Sequence, residues 1–221
     1  MGSVPTETRP RGFGSRGVFA ILVVFAGAIV GGPLLAAALV LVWARLSGTP
    51  FRALGFVRPK SWTLTIAGGA AFGIVFKLVM KAVVMPLLGA PAINAPYHYL
   101  AGNTAALPGM IATVLVGAAF AEEVFFRGYL FERLEALLGT SRGALAATLV
   151  VSATLFAAAH YGGQGVPGVE QAAVTGLVIG GVYAWRKEIW TPMVIHAAFD
   201  LTALALIYRD LEERVAHWIF R

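Results

Sequence analysis

The sequence predicts an all-α, polytopic transmembrane helix bundle of about six spans, the last four forming one core. Three observations carry this. The 221-residue chain is 58% hydrophobic and only 13% charged, where a soluble domain carries roughly 25% charged and 45–50% apolar residues. Mean hydropathy is +0.78. Apolar runs approaching or exceeding the ~20 residues that cross a bilayer recur along the chain, and no long polar linker divides them, so one bundle is expected. The absence of cysteine removes disulfides, thiol nucleophiles and thiolate metal sites. The net charge of +6 is scattered in ones and twos. That suits anionic lipid headgroups and not nucleic acid, for which a basic stripe with interleaved aromatics would be needed.

Residues 1–16 hold Arg9, Arg11 and Arg16 among Pro and Gly and are expected to form a disordered basic tail. Residues 17–106 read as two N-terminal spans and a loop. The first span, Val18 to Trp43, is far longer than the 7–15 apolar residues of a signal peptide, and Gly31-Gly32-Pro33 predicts a kink in it. A basic loop follows, with Arg45, Arg52, Arg58 and Lys60. The second span, about Trp62 to Leu88, contains Lys77 and Lys81 one turn apart, read as snorkelling or pairing locally in preference to a functional role through the bundle interior. Residues 89–106 are turn-rich and free of Lys and Arg, and His98 within them reads as a loop residue.

Residues 107–208 read as the core. The third span starts near Leu107, carries Glu122, Glu123 and Arg127, and runs into Phe131–Leu138, an amphipathic stretch expected to emerge at the interface. The fourth is Gly143 to Ala159, followed at once by His160. Residues 161–168 are expected to form an irregular glycine-rich link. The fifth, Gln171 to Trp185, has a small-residue face of Ala173, Gly176 and Gly180. The sixth, Trp190 to Tyr208, carries His196 and Asp200. Residues 209–221 form a charged tail, expected as an interfacial helix.

Lys and Arg populate the loops after spans 1, 3 and 5 and are missing after spans 2 and 4, which assigns the odd-numbered loops to the cytoplasm. Six full crossings would then put both basic termini outside, against the same rule, so either the first helix does not fully cross or the loops outvote the tails. The chain is expected to be a multi-pass protein of the cell membrane, a bacterial inner membrane.

An ionisable side chain at bilayer depth costs at least ~2.5–3.5 kcal/mol. Glu122, Glu123 and Arg127 lie within six residues of each other. On a helix Glu123 and Arg127 share a face and can neutralise each other, whereas Glu122 points about 140° from Arg127. Glu122 is therefore the acid without a partner, free to act as a general base. His160 can share a proton or hold water. His196 and Asp200, four residues apart, can bond each other and present a donor to a developing oxyanion. Phe156, one turn before His160, can fix its ring. Each residue alone has an ordinary structural explanation; three helices offering such groups together point to a function.

Glu122-Glu123-x-x-x-Arg127, Phe156-x-x-x-His160 and His196-x-x-x-Asp200, in this order on successive spans, resemble the three signature motifs of the CPBP family, the type II CAAX prenyl endopeptidases and their bacterial relatives, also called the ABI family. The resemblance covers roughly Leu107 to Tyr208. It implies a cofactor-free intramembrane glutamic protease acting on a membrane-associated peptide or protein, with CAAX-type prenylated proteins as one substrate class. It implies that Glu122 and His160 activate water, that His196 and Asp200 stabilise the oxyanion, and that Glu123 and Arg127 support the site. The family's best-described members have Asn where this chain has Asp200. Asn donates a hydrogen bond and an ionised Asp cannot, so Asp200 is either protonated or orients His196.

Three other functions use the same residues. Glu, His, His and Asp could ligate Zn²⁺, although no His-Glu-x-x-His motif is present. They could relay protons in a transporter, although no internal repeat is evident. They could line a bundle that sequesters a peptide without cutting it. One geometric obstacle faces the protease reading. Glu122 lies about 22 Å along span 3 from Leu107, while His160 ends span 4, so straight helices separate them in depth unless span 3 starts earlier or tilts, or span 4 starts deep.

Overall fold

A computed structural model describes residues 15–220, and every described element is helical. The expectation for residues 1–14 lies outside the described residues. Six helices are long and apolar enough to cross a membrane: α1 (Ser15–Ser47), α2 (Trp62–Leu87), α3 (Thr104–Leu138), α4 (Arg142–Ala159), α5 (Tyr161–Arg186) and α6 (Trp190–Tyr208). A short α7 (Glu212–Ala216) follows.

The predicted kink in α1 is a reversal. Gly32 adopts φ 68° and ψ −167° ahead of Pro33, a conformation that glycine reaches without a Cβ penalty. Gly17 and Phe19 consequently line one cleft with Leu46 and Ser47, residues a straight helix would hold about 40 Å away. The described start of α1 therefore lies on the side of the basic loop 48–61. The second half of α1 buries Ala36, Ala37, Val40 and Ala44 in a cluster with Val124, Phe125 and Tyr129 of α3.

α2 packs against α6 through Gly69 and Gly73. A Cβ at Gly73 would stand 2.8 Å from the Ala198 Cβ and 3.1 Å from the Phe199 nitrogen. α5 meets α4 through Gly176, where a Cβ would stand 3.2 Å from Ala153. Residues 161–168 are not an irregular link: they are helical, with α5 broken at Gly165 (φ 63°) and re-directed at Pro167.

α3 differs most from expectation. It changes to wider, π-type winding from Thr113 to Leu130 and then continues unbroken to Leu138. Phe131 and Arg133 are buried in it. Arg133 lies over the Trp43 ring at 4.6 Å and pairs with Glu132, so the start of the amphipathic Phe131–Leu138 stretch stays packed against the bundle. The carboxyl tail is also docked. Glu212 of α7 is buried and takes Lys81 Nζ at 2.7 Å and the Asn94 amide at 3.2 Å. Lys81 also donates to the Ala92 carbonyl, and it neither snorkels nor finds its counter-charge locally: its ion-pair partner is 131 residues away.

Candidate functional site

The turn at residues 139–141 makes α3 and α4 an antiparallel hairpin. Glu122 lies 16 residues back from Leu138 along α3, and His160 lies 18 residues on from Arg142 along α4. The two are level. Ser152 Oγ donating to the Phe126 carbonyl at 3.1 Å and the Phe126–Phe156 ring pair at 5.1 Å fix that register. The depth obstacle disappears because α3 continues unbroken to Leu138.

Glu123 is fully buried. Its Oε1 accepts from Arg127 Nη1 at 2.9 Å and from His196 Nδ1 at 2.7 Å. Arg127 places its guanidinium over the Phe156 ring at 4.5 Å and reaches the Gly176 carbonyl at 3.5 Å. One ion pair therefore ties α3 to α4, α5 and α6. The i,i+4 pairing of Glu123 with Arg127 follows the sequence pattern. The bond from His196 Nδ1–H to Glu123 adds a partner that the sequence pattern did not name, and it leaves Nε2 for the expected pairing with Asp200. His196 Nε2 faces Asp200 Oδ2 at 3.5 Å and Glu122 Oε2 at 3.9 Å.

Among the described residues Glu122 forms no side-chain hydrogen bond, and its Oε2 is buried without a hydrogen-bond partner, with His196 Nε2 at 3.9 Å as its nearest cationic contact. His160 Nδ1 lies 2.8 Å from the Phe156 carbonyl. A carbonyl only accepts, so Nδ1 carries a proton and Nε2 is the ring nitrogen left for another partner. Phe156 packs on that ring at 4.7 Å.

Glu122, His160, His196 and Asp200 line one cavity of about 210 Å³. Tyr97, from the loop before α3, closes part of it. Burial, and then the charges of Asp200 and Glu122, push the Tyr97 hydroxyl above its ordinary value, so it meets the cavity as a neutral donor. His98 beside it is exposed. Lys77 also lines the cavity. It is buried, bonds Gln171 Oε1 at 2.8 Å and lies over the Phe199 ring at 4.7 Å, which corrects its reading as a snorkelling or locally paired residue. Sequence reasoning missed the Glu123–His196 bond and the cavity positions of Tyr97, Lys77 and Gln171. The one available signal was Lys77 itself, a charge inside an apolar span. Among the described residues no three His, Cys, Asp or Glu side chains are grouped to hold a metal ion.

Residues 104–202 match the family model for the Rce1-like type II CAAX prenyl endopeptidases, and all three motifs fall inside the match. No curated protein and no solved structure matches the chain. The chain is thus a multi-pass membrane protein whose residues 104–202, carrying all three motifs, are similar to the Rce1-like type II CAAX prenyl endopeptidases.

Proposed function

We propose that this protein is a glutamic intramembrane endopeptidase that cleaves a membrane-associated, CAAX-type peptide. The reading is carried by one observation: of the two adjacent acids, Glu123 is locked by Arg127 and His196, while Glu122 is left unbonded in a cavity shared with His160. A water held between Glu122 and His160 Nε2 gives a proton to Glu122 and attacks the scissile carbonyl. The carbonyl oxygen becomes an oxyanion facing His196 Nε2. With Nδ1–H already given to Glu123, that ring donates from Nε2 only as the imidazolium, and Glu123 and Asp200 are the carboxylates that carry its counter-charge. Collapse of the tetrahedral intermediate breaks the C–N bond, and Glu122 returns its proton to the leaving amine. Glu123 and Arg127 position the machinery without touching substrate. The apolar walls and helical enclosure limit competing water.

The test is cleavage of a fluorescent S-prenylated peptide ending in a CAAX sequence by purified protein in micelles. Glu122→Gln and His160→Ala are each expected to lower kcat at least about 100-fold with thermal unfolding unchanged. Undiminished cleavage by Glu122→Gln would end the assignment.

A further inference from the structure

A buried cation stands beside the candidate catalytic groups with no task in the mechanism above. Lys77 is 6% exposed. Its ammonium has three donors, yet among the described residues its one hydrogen-bond partner is Gln171 Oε1 at 2.8 Å, with the Phe199 ring 4.7 Å from it on another side. Among the described residues no carboxylate lies within 4.0 Å of it. The charged groups acting on it from a distance are Asp200, Lys81 and Glu212, and Lys81 is already paired with Glu212 at 2.7 Å. A buried ammonium without an anion is costly.

Lys77 also occupies a particular place. The cavity of about 210 Å³ holding Glu122 and His160 adjoins a second of about 190 Å³, and Lys77, Gln171, Gln164 and Asn94 line both. The second is walled by Pro91, Ile93 and Pro96 of the loop and by Leu206 and Ile207 of α6. A peptide whose scissile bond sits at Glu122 can extend one way into this side chamber, and the first charge it meets there is Lys77.

We infer that Lys77, oriented by Gln171, is a specificity-determining residue that binds a carboxylate of the peptide substrate beside the scissile bond. The inference rests on the protease reading for the position of that bond. Lys77 supplies the counter-charge that a free carboxylate needs to enter a chamber whose other lining charges, Lys81 and Glu212, already pair with each other, and a substrate without one leaves the ammonium unpaired. The carboxylate is that of the chain end or of an acidic side chain, and the chemistry of recognition is the same.

The experiment measures binding of three fluorescent S-prenylated CAAX peptides to the full-length protein in micelles: the free acid, the C-terminal carboxamide, and a carboxamide with Glu as its last residue. The free acid is expected to bind at least about tenfold tighter than the plain carboxamide, as for a charge-assisted hydrogen bond. Lys77→Arg is expected to keep the preference and Lys77→Met to abolish it. Equal recovery of affinity by the Glu-bearing carboxamide assigns the site to a side-chain carboxylate; no recovery assigns it to the chain end. Equal binding of acid and carboxamide by wild-type protein overturns the inference with no variant needed, as does a preference that survives in Lys77→Met. Glu122→Gln separates the two readings. Cleavage that needs Glu122 without acid preference defeats only Lys77, whereas acid preference with cleavage indifferent to Glu122 defeats only the catalytic assignment.

Discussion

His196 of α6 donates its Nδ1–H to Glu123 of α3 at 2.7 Å. This bond fixes which face of the imidazole meets the cavity, and it uses an acid that is also the partner of Arg127 at 2.9 Å. Function and packing are therefore coupled through one carboxylate.

Removing that carboxylate leaves Arg127 buried without a counter-charge. Glu123→Ala is expected to destabilise the protein by about 3–5 kcal/mol, read as a fall in thermal unfolding temperature in micelles. Glu123→Ala combined with Arg127→Met is expected to cost less than the sum of the single changes. Additive losses would show that the pair is not a coupled unit.

Asp200 stands 3.5 Å from His196 Nε2, where an amide could donate directly to an oxyanion. Asp200→Asn is expected to retain cleavage within about tenfold, while Asp200→Leu loses about 100-fold or more in kcat with KM little changed. Equal activity in both variants would remove Asp200 from the proposed oxyanion site.

Helix packing sets the position of α6. A Cβ at Gly73 would crowd Ala198 at 2.8 Å and the Phe199 nitrogen at 3.1 Å, whereas one at Gly68 would meet only Leu64 at 3.6 Å. Gly73→Ala is expected to cost about 1–3 kcal/mol and to reduce cleavage by shifting His196 and Asp200; Gly68→Ala is the neutral control. A comparable fall in unfolding temperature for both would refute the close-approach explanation.

Glu188 accepts from the Trp190 and Thr191 amides at 2.8 and 3.1 Å and pairs with Arg186 at 2.7 Å, capping the start of α6. Burial opposes its charge, but the bonds from Thr191 and Arg186 outweigh it and hold the carboxyl below its ordinary value. A depressed carboxyl stabilises the fold above its unfolded value, and this contribution is lost as pH falls through the folded value. Glu188→Gln is expected to lose about 0.5–2 kcal/mol near neutral pH and to lose progressively less on acidification. Unfolding temperatures of the two proteins that stay parallel down to pH 3 would contradict this.

The catalytic proposal uses no metal. Cleavage is expected to survive a strong chelator, and full loss restored by Zn²⁺ would favour the metal-ligand reading of the same side chains.

Much of the fold was legible because membrane burial writes itself into composition. Six apolar runs, the Gly31-Gly32-Pro33 break and the glycine face of α5 follow from the cost of exposing backbone and charge to lipid. The limits of α3 were not legible. Charges at Glu132, Arg133 and Glu135 read as an exit to water, but Arg133 is held over Trp43 and paired with Glu132, and Glu135 is paired with Lys187. Local hydropathy cannot register partners supplied by distant helices.

From its own pattern the sequence determined the membrane bundle, the Glu123–Arg127 pairing and the order of three polar motifs on successive helices, because helical periodicity and the expense of intramembrane charge act over a few residues. Only the tertiary structure decided that α1 turns back at Gly32, that Glu122 and His160 lie at one depth, that His196 bonds Glu123, and that Lys77 and Lys81 point inward. Each of these depends on contacts between segments far apart in the chain, and local sequence carries no record of which neighbour will supply a buried group with its partner.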